Sequence, residues 1–290
     1  MLSKVLLYNL KIKEHEAVRH TIRVWALAVV LGAILAALLG GCAAPAAPEA
    51  EASAALPKII VGSDDYAPYN YLDETGTPAG VDVELAKEAF SRMGYEPVFV
   101  HLPWEQKDNY LADGSVDCLW GCFTMNGRET LYQWAGPYLY SRQIVVVRAD
   151  SPIQTLSDLA GARISVQATT KPEELWLHRE GTNLPQPEWV YSFSAMEEVY
   201  ATLRKGYADA ICGHEKALQV FLQSVPDAYR ALDEQLFRSE VGVAFGLDFD
   251  EAFVSELNRT LQEMQADGTT ASILKAYGLS ESALPGGNLS

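Results

Sequence analysis

The chain has 290 residues, 49% of them hydrophobic and 10% aromatic, enough apolar material for one large core or two smaller ones. Its formal charge is −16, and beyond residue 42 the body carries 17 basic against 36 acidic residues, a net −19. Phosphate backbones and anionic headgroups repel such a body, which argues against a nucleic-acid partner and against membrane attachment through a basic patch.

The first feature in chain order is an address. Val24 to Leu39 is an uncharged apolar run of 16 residues that follows Lys4, Lys11, Lys13, Arg19 and Arg23. It is short for a membrane span and suits a signal-peptide core. The run ends in Leu39-Gly40-Gly41-Cys42, which resembles the bacterial lipobox, whose small residues admit a peptidase and whose cysteine thiol receives diacylglycerol. Residues 1–42 are therefore expected to be a lipoprotein signal peptide, with Cys42 the lipidated first residue of the mature chain. An uncleaved signal anchor is the alternative, and it leaves the body on the same outer side of the membrane. His15 and His20 bracket an H-E-x-x-x-H sequence. Zinc-binding histidines on one helix face stand four apart rather than five, so the match is read as chance. Residues 43–57 show no apolar periodicity and read as a flexible tether, whose first 14 residues reach up to about 40 Å at ~3.1 Å per residue.

From Lys58 short apolar strands alternate with amphipathic helices, the signature of an α/β fold with largely parallel sheets. The predicted strands are Lys58 to Gly62, Pro97 to His101, Asp117 to Trp120, Gln143 to Arg148, Arg163 to Gln167, Glu188 to Tyr191, Ala208 to Cys212 and Val241 to Gly246. A helix is predicted over Val81 to Met93, with Val83, Ala86 and Phe90 on one face. Ser194 with Glu197 reads as a capping box opening a helix that ends near Lys205. Asp250 is placed as the cap of the longest helix, whose stripe of Phe253, Leu257, Leu261 and Met264 runs to a stop at Gly268. The segment Arg148 to Leu159, with its Pro, Ser and Asp, is expected to be a crossing point between sheets. Cys118 and Cys122 lie ~13 Å apart along a strand, too far for a disulfide. With no second ligand pair for zinc, they read as buried thiols. The sequence contains no G-x-G-x-x-G, P-loop or G-x-S-x-G pattern, which removes the usual grounds for dinucleotide, nucleotide and hydrolase-elbow readings.

The order of short motifs carries more. Val61 to Tyr69 (VGSDDYAPY), Gly80 to Ala86 (GVDVELA), Gly121 to Arg128, Ala135-Gly136-Pro137-Tyr138 and Ala266-Asp267-Gly268-Thr269 follow one another between Lys58 and Leu279. In that order they resemble the polar amino-acid branch of the bacterial extracellular solute-binding proteins, family 3. The resemblance implies a two-lobed, type II periplasmic-binding-protein fold with the ligand in the cleft between lobes. Residues 58–147 with 242–280 would form lobe 1, residues 148–241 lobe 2, and residues 281–290 a tail. It implies a monomeric, extracytoplasmic protein that presents an amino acid or related small carboxylate to an ABC permease, with no cofactor and no metal.

The same resemblance assigns site residues. Arg128 matches the arginine that clamps the ligand carboxylate, a task suited to its planar fork. Tyr66, Tyr69 and Trp104 match aromatic positions around the ligand side chain, with Trp120, Gly121 and Phe123 nearby. Asp64 or Asp65 matches an acid that meets a ligand cation, and the alignment leaves open which. Thr169 and Thr170 match a hydroxyl-bearing turn that donates to the carboxylate. Phe123 and His214 stand where the family has its ammonium acceptors, a departure that matters because a buried ammonium without acceptors costs several kcal/mol. The expectation is an aromatic pocket that prefers apolar, aromatic or alkylated-amine ligands over lysine or arginine. A cationic ligand would be further weakened below pH 7 as His214 charges. Two other readings are a sensor without transport and a dehydratase-like enzyme using His214 with Glu215; adjacent residues seldom aim at one reacting atom, which counts against the latter.

Overall fold

The computed structural model describes residues 55–179 and 182–287. The expected signal peptide, Cys42, the His15–His20 motif and most of the expected tether lie outside them. Among the described residues, no helix is long and apolar enough to cross a membrane.

Strand β1 (Lys58–Ser63) turns Ile59 and Val61 into one apolar cluster and Ile60 towards another, as a strand covered on both faces must. A small hairpin of β2 (Tyr71–Leu72) and β3 (Pro78–Ala79) leads into helix α1 (Val81–Arg92). Gly80 opens that helix at φ 123°, and a Cβ there would lie 2.2 Å from the Tyr69 carbonyl oxygen, so only glycine fits. Along α1, Val81, Leu85, Ala86, Ala89 and Phe90 are buried in the large cluster, the stripe that a 3.6-residue period produces. β1 pairs in parallel with β4 (Glu96–His101) and with β5 (Cys118–Thr124), and the short α2 (Lys107–Ala112) lies between those two in sequence.

A second parallel triplet consists of β7 (Arg163–Gln167), β8 (Trp189–Phe193) and β9 (Ala210–His214). Helices α3 (Lys171–His178), α4 (Met196–Arg204) and α5 (Glu215–Ser224) accompany it. Between the triplets run two long antiparallel strands, β6 (Gln133–Arg148, 16 residues) and β10 (Tyr229–Phe245, 17 residues). The complete order is β4-β1-β5-β10-β6-β9-β7-β8. The chain then closes with α6 (Glu251–Ala266) and α7 (Thr269–Ala276). The Asp250 carboxylate accepts from the Ala252 N–H at 3.0 Å, as expected of a cap.

Four expectations change. The passage between the two triplets is made inside β6 and β10, not by Arg148 to Leu159, whose end forms a short turn at Leu156–Leu159. Both strands start well before their apolar ends, at Gln133 and Tyr229, because polar residues such as Arg142, Ser239 and Glu240 are held in the ladder by the opposite strand. The α4 cap also moves by one residue. Glu198, not Glu197, accepts from the Ala195 N–H at 3.2 Å, while the Ser194 hydroxyl donates to Glu105 at 2.9 Å. Residues 281–287 do not trail away: Glu281–Ala283 forms a turn and Ala283 is buried in the large cluster.

Candidate functional site: a cleft at the strand ends

Ligands of α/β sheets collect beyond the carboxyl ends of parallel strands. Residues at or after the ends of β1, β4, β5, β7 and β9 line one cleft here, with ≈ 420 Å³ of atom-free space, part of it continuous with solvent. Contacts between the two triplets nearly shut it. The Gln167 amide donates to Asp64 Oδ2 at 2.5 Å, the His214 N–H donates to the Tyr66 hydroxyl at 3.0 Å, and the Thr169 hydroxyl donates to the Trp104 carbonyl at 3.4 Å.

Of the sequence-predicted residues, Asp64, Tyr66, Trp104 and Gly121 line the cleft, as do Phe123, Arg128, Thr170 and His214. The other four stand outside its lining. Asp65 is exposed and borders shallower depressions, because neighbours in extended chain point to opposite sides. By the same alternation Trp120 turns away from Gly121 and Phe123, packing on Phe90 and Tyr138 at 5.7 and 5.6 Å between centroids. Tyr69 forms a layer behind Tyr66 and His214, 6.0 Å from each ring. Thr169, in the left-handed region at φ 58°, contributes its backbone carbonyl to Arg128. The aromatic lining is thus Tyr66, Trp104 and Phe123, less than the sequence reading expects. A Cβ on Gly121 would lie 3.3 Å from Trp104 Cζ3, so glycine there admits the indole.

Arg128 is buried at 9% exposure. Its bonds are long: 3.3 Å to the carbonyls of Thr124 and Thr169, and 3.5 Å to the Glu174 carboxylate. Burial draws its pKa below the ordinary arginine value, opposed by the Glu174 charge. Lys171 pairs with the same Glu174 and is a second cation in the lining. The Phe123 ring, 5.3 Å from the guanidinium and 5.6 Å from Lys107 Nζ, gives these charges an aromatic face.

Asp64 is raised by burial to about 6, with the Gln167 bond opposing. His214 is driven by burial down to about 3. The ring therefore stays neutral from pH 7 to 5, which corrects the expectation that it charges over that range; Asp64 is the cleft group that titrates there. Behind the lining, buried Asp82 of α1 accepts from the Cys122 N–H at 2.6 Å, the Tyr138 hydroxyl at 2.8 Å and the Asn70 amide at 3.1 Å. It fixes Cys122 at φ 49°, where β5 bends between Gly121 and Phe123. Cys118, Cys122 and Cys212 are buried free thiols.

His214 and Glu215 do not converge. His214 lines the cleft, whereas Glu215 pairs with Arg142 at 3.6 Å and borders a different depression. Among the described residues, no group of three His, Cys, Asp or Glu side chains is placed to hold a metal.

Sequence reasoning missed Gln143, Gln167 and Lys171 in the lining. Gln167 had a signal, since it ends a correctly predicted strand. Lys171 follows the matched Thr170 directly. Gln143 had none, because its position depends on where β6 crosses.

Residues 59–280 match the family described as bacterial extracellular solute-binding proteins, family 3. The chain belongs to that family. The histidine-binding periplasmic protein of Salmonella typhimurium is 31% identical over 242 residues, covering 78% of this chain and 90% of that protein. The L-cystine-binding protein TcyJ of Escherichia coli is 25% identical, covering 76% and 82%. Among solved structures, Tv2483 bound to L-arginine superposes with a TM-score of 0.69 at 26% identity, covering 76% of this chain and 90% of that one. The fold is the type II, two-lobed one that the sequence predicts.

Proposed function

We propose that the chain captures an amino acid in this cleft and delivers it to an ABC permease, as a binder and not a catalyst. Arg128 carries the reading: a buried guanidinium whose protein bonds are all 3.3 Å or longer exchanges them at little cost for the shorter, paired bonds of a ligand carboxylate. The relatives that bind histidine and cystine agree with that ligand class. Asp64, Thr170 and His214 surround the rest of the ligand, and bending of β6 and β10 opens the lobes built from residues 58–147 with 242–280 and from residues 148–241. The separation of His214 from Glu215 supports binding over acid-base catalysis. Cys42 anchors the mature protein to the outer side of the cell membrane.

A thermal-shift screen of the amino acids tests the capture. At least one is expected to raise the melting temperature in proportion to the logarithm of its concentration; a screen in which none does refutes the reading. Mass spectrometry of protein made in a bacterial host tests the anchor, with a diacylglycerol-bearing peptide expected to begin at Cys42 and an intact Met1 terminus refuting it.

A further inference from the structure

Gln143 of β6 and His214 of β9 are cross-strand partners. They are 1% and 7% exposed and both line the cleft. Gln143 Nε2 lies 2.8 Å from His214 Nε2, while Gln143 Oε1 and His214 Nδ1 have no hydrogen-bond partner. Buried polar atoms left unpaired are costly and uncommon. Turning the amide over hands Oε1 to the ring and frees the NH₂ group instead, so the pair keeps an unpartnered donor or acceptor in either orientation.

The aromatic and thiol groups beside the pair are uncharged, and the Arg142–Glu215 ion pair, on the residues next to it in sequence, borders a different depression. Tyr66 and Tyr69 stand edge-on to the imidazole at 5.9 and 6.0 Å, and burial pushes both hydroxyls well above the ordinary tyrosine range. Cys122 and Cys212, also in the lining, are held as thiols in the same way. The acid of the cleft, Asp64, is already engaged by Gln167, and the two cations, Arg128 and Lys171, belong to the same lining.

We propose that Gln143 and His214 form an uncharged donor–acceptor pair that reads an uncharged polar end group on the ligand side chain, a carboxamide or an imidazole, and so discriminates against guanidinium and ammonium side chains. The inference rests on the amino-acid reading of the cleft, with Asp64, the acid of the lining, taking the ligand ammonium in place of the His214 position. A carboxamide or a neutral imidazole brings both a donor and an acceptor and satisfies both members of the pair. A hydrocarbon end leaves them unpaired. A cation brings donors only and adds a third positive charge to Arg128 and Lys171.

The test is calorimetric titration of the full-length protein with glutamine, asparagine, histidine, arginine, lysine and leucine. At least one of the first three is expected to bind about tenfold or more tighter than any of the last three, as for other sites built to hydrogen-bond a substrate group. Gln143→Leu is expected to erase most of that lead. Gln143→Glu is expected to move the preference about tenfold towards arginine or lysine by supplying a carboxylate to pair with the cation, a gain that a merely structural role does not produce. Melting curves identify any variant that fails to fold, and Gln143→Glu and His214→Gln carry the test if Gln143→Leu does. Tightest binding of arginine, lysine or leucine by the wild type, or an unchanged lead in the folded variants, overturns this inference alone. Binding of none of the six overturns this inference as well, while the amino-acid reading stands or falls separately on the thermal-shift screen of all the amino acids.

Discussion

Arg128 and His214 are buried in one cleft, yet only Arg128 keeps a counter-charge, Glu174, which also binds Lys171. In the same lining, Gln143 and His214 keep unpartnered atoms and carry no charge. The difference follows from the scale of the penalties. An isolated buried ion costs far more than a fold can absorb, whereas an unpaired neutral donor or acceptor costs about 1–3 kcal/mol. A binding site can therefore leave neutral groups waiting, but must give each buried cation an internal acceptor that the ligand later replaces.

The largest expected effect is at the charged end. Arg128→Ala should weaken the ligand found by the screen by at least about 2 kcal/mol, roughly 30-fold, in calorimetry, with melting temperature largely retained. Unchanged affinity would place the carboxylate elsewhere and break the comparison. Gly121→Ala probes the cleft wall that carries Trp104. Its Cβ meets Ser63 and Trp104 at 3.2 and 3.3 Å, and displacing the indole should cost about 1 kcal/mol of binding, in line with modest overpacking. Glu174→Gln removes the internal rival for Arg128 and should tighten binding by about 0.5–1 kcal/mol, the scale of a part-exposed ion pair. Weaker binding in that variant would mean that Glu174 orients Arg128 instead of competing for it.

The smallest effect is one of pH. Asp64 is held at about 6 against an ordinary 3.8, and Asp82 at about 7, so the native chain keeps protons that the unfolded chain releases. Their contribution to stability is present below pH 3.8 and is lost as pH rises through 6 and 7. His214, lowered from 6.5 to about 3, acts in the opposite sense: its contribution is present above 6.5 and is lost as pH falls towards 3. Asp64→Asn should therefore remove part of any fall in melting temperature between pH 5 and 8. For a ligand that does not itself titrate between pH 7 and 5, such as glutamine, any change in affinity over that range should likewise persist in His214→Gln and vanish in Asp64→Asn. A change abolished by His214→Gln would return the titration to the histidine and put a charge on the Gln143–His214 pair.

Local pattern was enough for the α/β class, the Arg163–Gln167 strand, the helices beginning at Val81 and capped by Asp250, and the place of Arg128 in the cleft lining. Each is local: an apolar period, a cap, or a short motif whose meaning travels with its residues. It took the packed sheet to show that Asp64 and not Asp65 lines the cleft, that Trp120 and Tyr69 stand behind it, that the chain crosses inside β6 and β10, and that Gln143 meets His214. Those facts depend on strand phase and register, which are set by what each face packs against and are not written in any one strand. The charge of His214 was decided there too. The ring is neutral because the fold encloses it, and burial belongs to the assembled sheet and its helices, not to the residue.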